Sequence, residues 1–370
     1  MHRWPAALVI GIALAACSPP VAVSPGSTDP EPSRSLAGST PVEPTPEVTA
    51  TPGATPPPTA EPTPAAWAEL TVPDGPSPRE DHTWTADAAG ESAYLFGGRD
   101  GATVHGDLWV YDLAADAWTE VAADGPVPDP RFGHEAVWVD DIGLVVFAGQ
   151  AGPTFFNDLW AFDPDAGAWR QLESTGAIPK ERYGTCAAIA PDGRLWISHG
   201  FTSDGTRFAD TLAYDFDSAT WTDETPEGSL PVNRCLHGCW WTDDGSFALY
   251  AGQTTGITAL GDRWVLSDAA WMRVDGAAPP DRNLYARTRI PGATVVVGGQ
   301  AIDGSFLSDA WLLVDGSVEA REIQIIGSTP PGRAGAELIA DPDRGRLLLF
   351  GGRSGDGAFA DLWELTGDLP

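Results

Sequence analysis

Six arginines recur along the chain at intervals of 48 to 52 residues: Arg79, Arg131, Arg182, Arg234, Arg282 and Arg333. A second polar series, Arg99, Gln150, Gln253, Gln300 and Arg353, follows a glycine each time, and Phe201 takes that place once. Arginine presents a fork of donors suited to carboxylates, and glutamine suits hydroxyl-rich ligands. His82, His134 and His237 each stand three residues after one of the six arginines, whereas His105 and His199 lie elsewhere. Three histidines at one repeat position raise the question of a metal. No His-x-His or His-Glu-x-x-His spacing accompanies them, so no metal and no cofactor are assigned. Neither a Gly-x-Ser-x-Gly elbow nor a Ser/His/Asp order is found.

Elements that carry such series must themselves repeat, and a missed repeat mis-reads the whole fold. Two further anchors keep step with the arginines. One is the last glycine of a short apolar run: Gly98, Gly149, Gly200, Gly252, Gly299 and Gly352. The other is an aspartate two residues before a bulky apolar side chain: Asp107, Asp158, Asp210, Asp262, Asp309 and Asp361. Each unit reads as four short strands, a to d. In the second unit strand a is 135–139, strand b is 144–147 and strand c is 158–163, with strand d at Trp169. No sustained period of about 3.6 residues appears outside the extreme N-terminus.

A four-stranded unit of about fifty residues whose second strand ends in Gly-Gly resembles the kelch repeat. The pair is intact at Gly97-Gly98, Gly298-Gly299 and Gly351-Gly352, relaxed at Ala148-Gly149 and Ala251-Gly252, and broken at His199-Gly200. Trp118, Trp169, Trp221 and Trp271 supply the fourth-strand tryptophan, and Arg321 replaces it in the fifth unit. The resemblance covers residues 66–370. It implies an all-β, six-bladed kelch-type β-propeller similar to the central domain of galactose oxidase. The last unit lacks strand d, and Ala66-Trp67-Ala68-Glu69-Leu70 matches that strand, so the N-terminal strand is expected to complete the last blade.

In such a ring the d–a and b–c loops share one face. The six repeat arginines, together with Arg99, Gln150, Gln253, Gln300 and Arg353, then become candidates for a ligand face at the channel mouth. The competing reading is structural: each repeat arginine can meet the aspartate that opens strand c. Under it, binding falls to the b–c loops, which differ between blades. Three cysteines lie in the ring. Cys235 and Cys239 share a strand and stand about 13 Å apart, too far to bond. Either meets the parity required to bridge Cys186 in the neighbouring blade, and Cys239 is closer in height, so the expected disulfide is Cys186–Cys239.

Residues 1–16 read as a lipoprotein signal peptide, because the sequence Leu14-Ala15-Ala16-Cys17 resembles a lipobox and implies lipidation of Cys17. Residues 17–65 read as a disordered tether, with 14 Pro and 8 Thr between Pro19 and Pro64. A net charge of −31 argues against nucleic acid as a partner. These features predict an exported monomer, lipid-anchored to the outer face of a bacterial membrane and touching that membrane only through its anchor. It would bind a protein or an envelope glycan. The alternative is an enzyme acting on a saccharide or sugar acid, since six-bladed kelch proteins include a sialic acid mutarotase. Arg234, His237, His199 and Glu135 would then form its channel cluster.

Overall fold

The computed structural model describes residues 63–369 apart from residue 257. The expected signal peptide, Cys17 and nearly all of the expected tether lie outside the described residues. The described chain is all β, and its strands fall into six blades. Blade two shows the pattern: strand d (Ala168–Leu172), c (Leu159–Asp163), b (Gly143–Phe147) and a (Glu135–Val139) are neighbours in that order, all antiparallel. Blade six is completed from the other end of the sequence. Ala65–Leu70 pairs antiparallel with Leu362–Thr366, in register from Ala66 with Thr366 to Leu70 with Leu362. Blades four and five are not separate sheets: Arg282–Asn283 pairs with both and joins them into one nine-stranded sheet.

The three sequence anchors meet in one place. Each repeat arginine is 0–2% exposed. Its two terminal nitrogens grip the strand-c aspartate of the same blade at 2.7–3.1 Å. One of them also donates to the carbonyl of the first residue of the Gly pair, at 2.7–3.0 Å. The Nε donates to the carbonyl two residues upstream. The bulky residue after the aspartate is part of the clamp in five blades, where a tryptophan Nε1 donates to the same carboxylate.

Backbone conformation explains why the Gly pair relaxes at one position only. The first residue has φ between 58° and 67° in all six blades, a left-handed region that Ala148, His199 and Ala251 enter at modest cost. The second has φ between 86° and 105°, where a side chain is strained, and it is glycine every time. In five blades its N–H donates to the carbonyl of the next blade's arginine, for example Gly98 to Arg131 and, closing the ring, Gly352 to Arg79. Between blades, the strand-d tryptophan packs on the strand-b phenylalanine of the preceding blade: Trp118 on Phe350, Trp169 on Phe96, Trp221 on Phe147. In blade five Arg321 is exposed and Ile323 enters the core instead.

A disulfide joins Cys186 and Cys239, on strands a of blades three and four, with Cα atoms 5.6 Å apart. Cys235 is a buried free thiol. The bridge spans 53 residues of sequence, so reducing it is expected to cost about 2–4 kcal/mol through the unfolded chain. Urea unfolding with and without reductant measures this. A Cys186→Ser/Cys239→Ser variant should be insensitive to reductant.

Candidate functional site

Two ends of the ring differ. At the end carrying the d–a and b–c loops, the axis is constricted by the backbone itself. The residue two after each repeat arginine is left-handed, with φ between 52° and 66°: Asp81, Gly133, Gly184, Leu236, Leu284 and Gly335. Each donates its N–H to the carbonyl of its counterpart in the preceding blade, at 2.7–3.2 Å, and Asp81 closes the circle on Gly335. These six bonds form a belt around the axis. At Gly133 the ring of Tyr183 lies where a Cβ would stand, so only glycine fits.

The six repeat arginines are therefore not ligand groups. Each guanidinium is buried, and its hydrogen bonds serve its own blade, as the structural alternative requires. Of the remaining candidates, Arg99 and Arg353 come together on the looped end. Both pair with Glu80, Arg99 at 3.2 Å, and Arg99 also reaches Asp81 at 3.4 Å. Tyr183 donates to Asp81 at 3.0 Å. Arg99 lies over the ring of Phe132 and Arg353 over that of Phe306. The carboxylates are buried while the two arginines keep over a quarter of their side chains exposed. Burial, with Asp81 adjacent, raises Glu80 to about 7 against the pull of Arg99 and Arg353. Burial likewise raises Asp81.

Gln150 and Gln300 stand on other blades and are turned into their own loops, donating to Gly152 and Gly304. Gln253 pairs through its backbone with Cys235. Four exposed apolar side chains stand in the connecting loops: Val127, Ile178 and Val232 in d–a loops and Ile302 in a b–c loop.

Toward the opposite end the axis widens into a cavity of about 630 Å³, lined by the inner strands and the a–b turn Asp87–Gly90. A smaller space of about 60 Å³ lies between this cavity and the belt. Glu135, Arg287 and Glu337 line both. Glu135 and Arg287 belong to opposite blades, two and five, and pair across the axis at 3.3 Å. No hydrogen bond or ion pair among the described residues engages the Glu337 carboxyl. The expected channel mouth at the looped end is thus corrected: the belt narrows that end, and the cavity opens between the a–b turns.

Burial raises Glu337 to about 8, Arg287 opposing and Glu135 and Asp81 assisting. Between its ordinary 4.5 and about 8 the folded chain retains a proton that the unfolded chain has released. Stability should therefore fall as pH rises through that window. Glu337→Gln is expected to leave the melting temperature unchanged near pH 5 and to raise it by a few degrees near pH 9, as read by thermal scans at both pH values.

Arg234, His199 and His237 do lie together, the two imidazole rings 5.3 Å apart, and His237 lines the smaller space with Glu135, but the polar groups are engaged elsewhere. Arg234 is spent on Asp262, and His199 bonds the Ser198 hydroxyl at 2.6 Å. Glu135 faces the axial cavity. Burial lowers His199 to about 3 and holds His82 and His237 well below their ordinary value. His134 reaches the Thr83 hydroxyl of the neighbouring blade at 2.9 Å, and it packs where a Cβ on Gly97 would stand. Among the described residues no group of three or more His, Cys, Asp or Glu side chains is arranged to hold a metal. Glu337, Arg287 and Asp81 escaped the sequence reading. For Arg287 and Glu337 the only signal was charge on an inner strand, as in Ala286-Arg287-Thr288-Arg289-Ile290.

Comparison with known proteins agrees with this architecture. The KLHDC2/KLHL20/DRC7 Kelch-repeats domain matches residues 62–252. Kelch domain-containing protein 10 of Xenopus tropicalis is 27% identical over 267 residues, covering 66% of this chain and 64% of that protein. Adagio-like protein 3 of Oryza sativa subsp. japonica is 26% identical over 315 residues, 79% of this chain and 49% of that protein. The flagellar outer-arm dynein alpha chain of Chlamydomonas reinhardtii is 31% identical over 175 residues, 44% of this chain and 4% of that protein. The chain thus spans less than two thirds of the length of each of these curated relatives. With its repeat, its ring closure and these matches together, the chain belongs to the kelch-repeat family.

Proposed function

We propose that this chain is an exported, lipid-anchored binding module that engages a protein partner, or an envelope glycan, through the end carrying the d–a and b–c loops. The observation that supports this reading most is the Arg99–Arg353 pair. Two partly exposed guanidinium groups are propped from beneath by Glu80 and Asp81 and flanked by Phe132 and Phe306. In a chain of net charge −31 this is a local donor surface, suited to carboxylates of an acidic peptide or an acidic sugar. The exposed Val127, Ile178, Val232 and Ile302 add apolar side chains in the d–a and b–c loops.

A screen of the chain against acidic peptides and an array of glycans and sugar acids tests this. Saturable binding weakened roughly tenfold or more by Arg99→Ala/Arg353→Ala supports the reading. Binding that ignores this double variant, or no binding across the screen, overturns it.

A further inference from the structure

The axial cavity is a second concave site, at the opposite end from the Arg99–Arg353 pair. Its floor holds two carboxyls and one guanidinium: Glu135, Glu337 and Arg287. Glu135 already pairs with Arg287, and among the described residues no side chain hydrogen-bonds or ion-pairs with Glu337. Above the floor the wall is small and mixed, with Thr85, Val137 and Ala188 among its residues, and Trp138 stands nearer the turns. The volume, about 630 Å³, is that of a small-ligand site.

We propose that this cavity binds a small organic ammonium ion, its charged head seated on Glu337 beside Glu135 and its apolar body along the inner strands toward Trp138. The charge count selects the ligand. With both glutamates ionised the floor carries one negative charge in excess, which a monocation neutralises and a carboxylate or a neutral alcohol does not. An ammonium group offers three donors to two carboxylates, so it can satisfy Glu337 without breaking the Glu135–Arg287 pair. The size of the site excludes a polymer threading through, because the belt of Asp81, Gly133, Gly184, Leu236, Leu284 and Gly335 narrows the far end.

Proton balance follows. Near pH 7 much of Glu337 is protonated, so binding converts its carboxylic acid and a free ammonium ion into a carboxylate–ammonium pair and releases one proton to the buffer. The charged and titratable groups facing Glu337 are Arg287 from blade five, Glu135 from blade two and Asp81 from blade one. His82, His134 and His237 share the smaller space and are held neutral by burial.

Isothermal titration of the full chain with cyclohexylammonium chloride, and with cyclohexanol as the neutral match, tests the proposal. The expected result is saturable binding of the ammonium ion alone, strengthening from pH 6 to pH 9, with an enthalpy that varies with buffer ionisation. Glu337→Gln should weaken it roughly tenfold or more. Absence of saturable binding, equal binding of cyclohexanol, or full affinity in a folded Glu337→Gln protein would each overturn the proposal.

Discussion

Replacing Arg234 with alanine is expected to destabilise the propeller by about 3–5 kcal/mol, the usual cost of removing one partner of a buried ion pair. The side chain is fully buried and makes hydrogen bonds to the carbonyls of Val232 and Ala251 as well as two to Asp262. Without it, Asp262, itself only 17% exposed, keeps a single strong donor, the Trp264 indole at 2.6 Å. Lysine should not rescue the variant, because a point charge cannot reproduce the fork. Blade three provides the internal comparison. Asp210 is 31% exposed and is followed by Leu212, so it lacks the indole. Arg182→Ala should therefore cost less than Arg234→Ala in urea midpoint at equal slope. Acid should mimic the lesion at Asp107, Asp262 and Asp361. Burial alone would raise these carboxyls, but the hydrogen bonds and charge of the paired arginine bring them below their ordinary range. Their contribution is present above the ordinary carboxyl pKa and is lost as pH falls through the lowered one.

Deleting residues 1–71 is the second large effect. Removal of residues 1–62 should leave the melting temperature of the ring unchanged. Removal of the next nine residues takes away Ala65–Leu70 and with it Trp67, which is 6% exposed in the cluster that includes Leu338, Leu349 and Leu365. Strand c of blade six then becomes an open edge, free to pair with another chain. The expected outcome is aggregation or loss of cooperative unfolding, seen by light scattering and by thermal scans of the two shortened chains. A cooperative, monomeric protein after the longer deletion would show that closure by this strand is dispensable.

What could be read from the sequence was whatever repeats. Arginine, glycine and aspartate kept step over six units because they build one clamp. That made the blade count and the closing strand legible in advance. The same regularity misled at the site. A polar residue repeated six times looks like a ring of ligands, and only burial shows that all six arginines are spent within their blades. The belt left a fainter trace, glycine at Gly133, Gly184 and Gly335, and Asp81, Leu236 and Leu284 concealed it by taking the same left-handed conformation. The pairing of Glu135 with Arg287 across the axis was not legible, because the two residues are 152 apart in sequence and meet only when the ring closes.

The closing strand also sets how the molecule carries load. Strand d of blade six begins at Ala65, beside Thr366, at the a–b and c–d end of the ring. Just before it, Thr63 and Asp368 exchange two hydrogen bonds, at 2.7 and 2.9 Å. If residues 1–62 hold the chain to a surface and a partner pulls on the looped end, the tension runs along the strand rather than across it. The five register pairs from Ala66 to Leu70 are then sheared together instead of being peeled one at a time, after the Thr63–Asp368 staple has given way. A ring closed in this way resists a pull at its own seam, and tethering by the opposite end of that strand would forfeit the advantage.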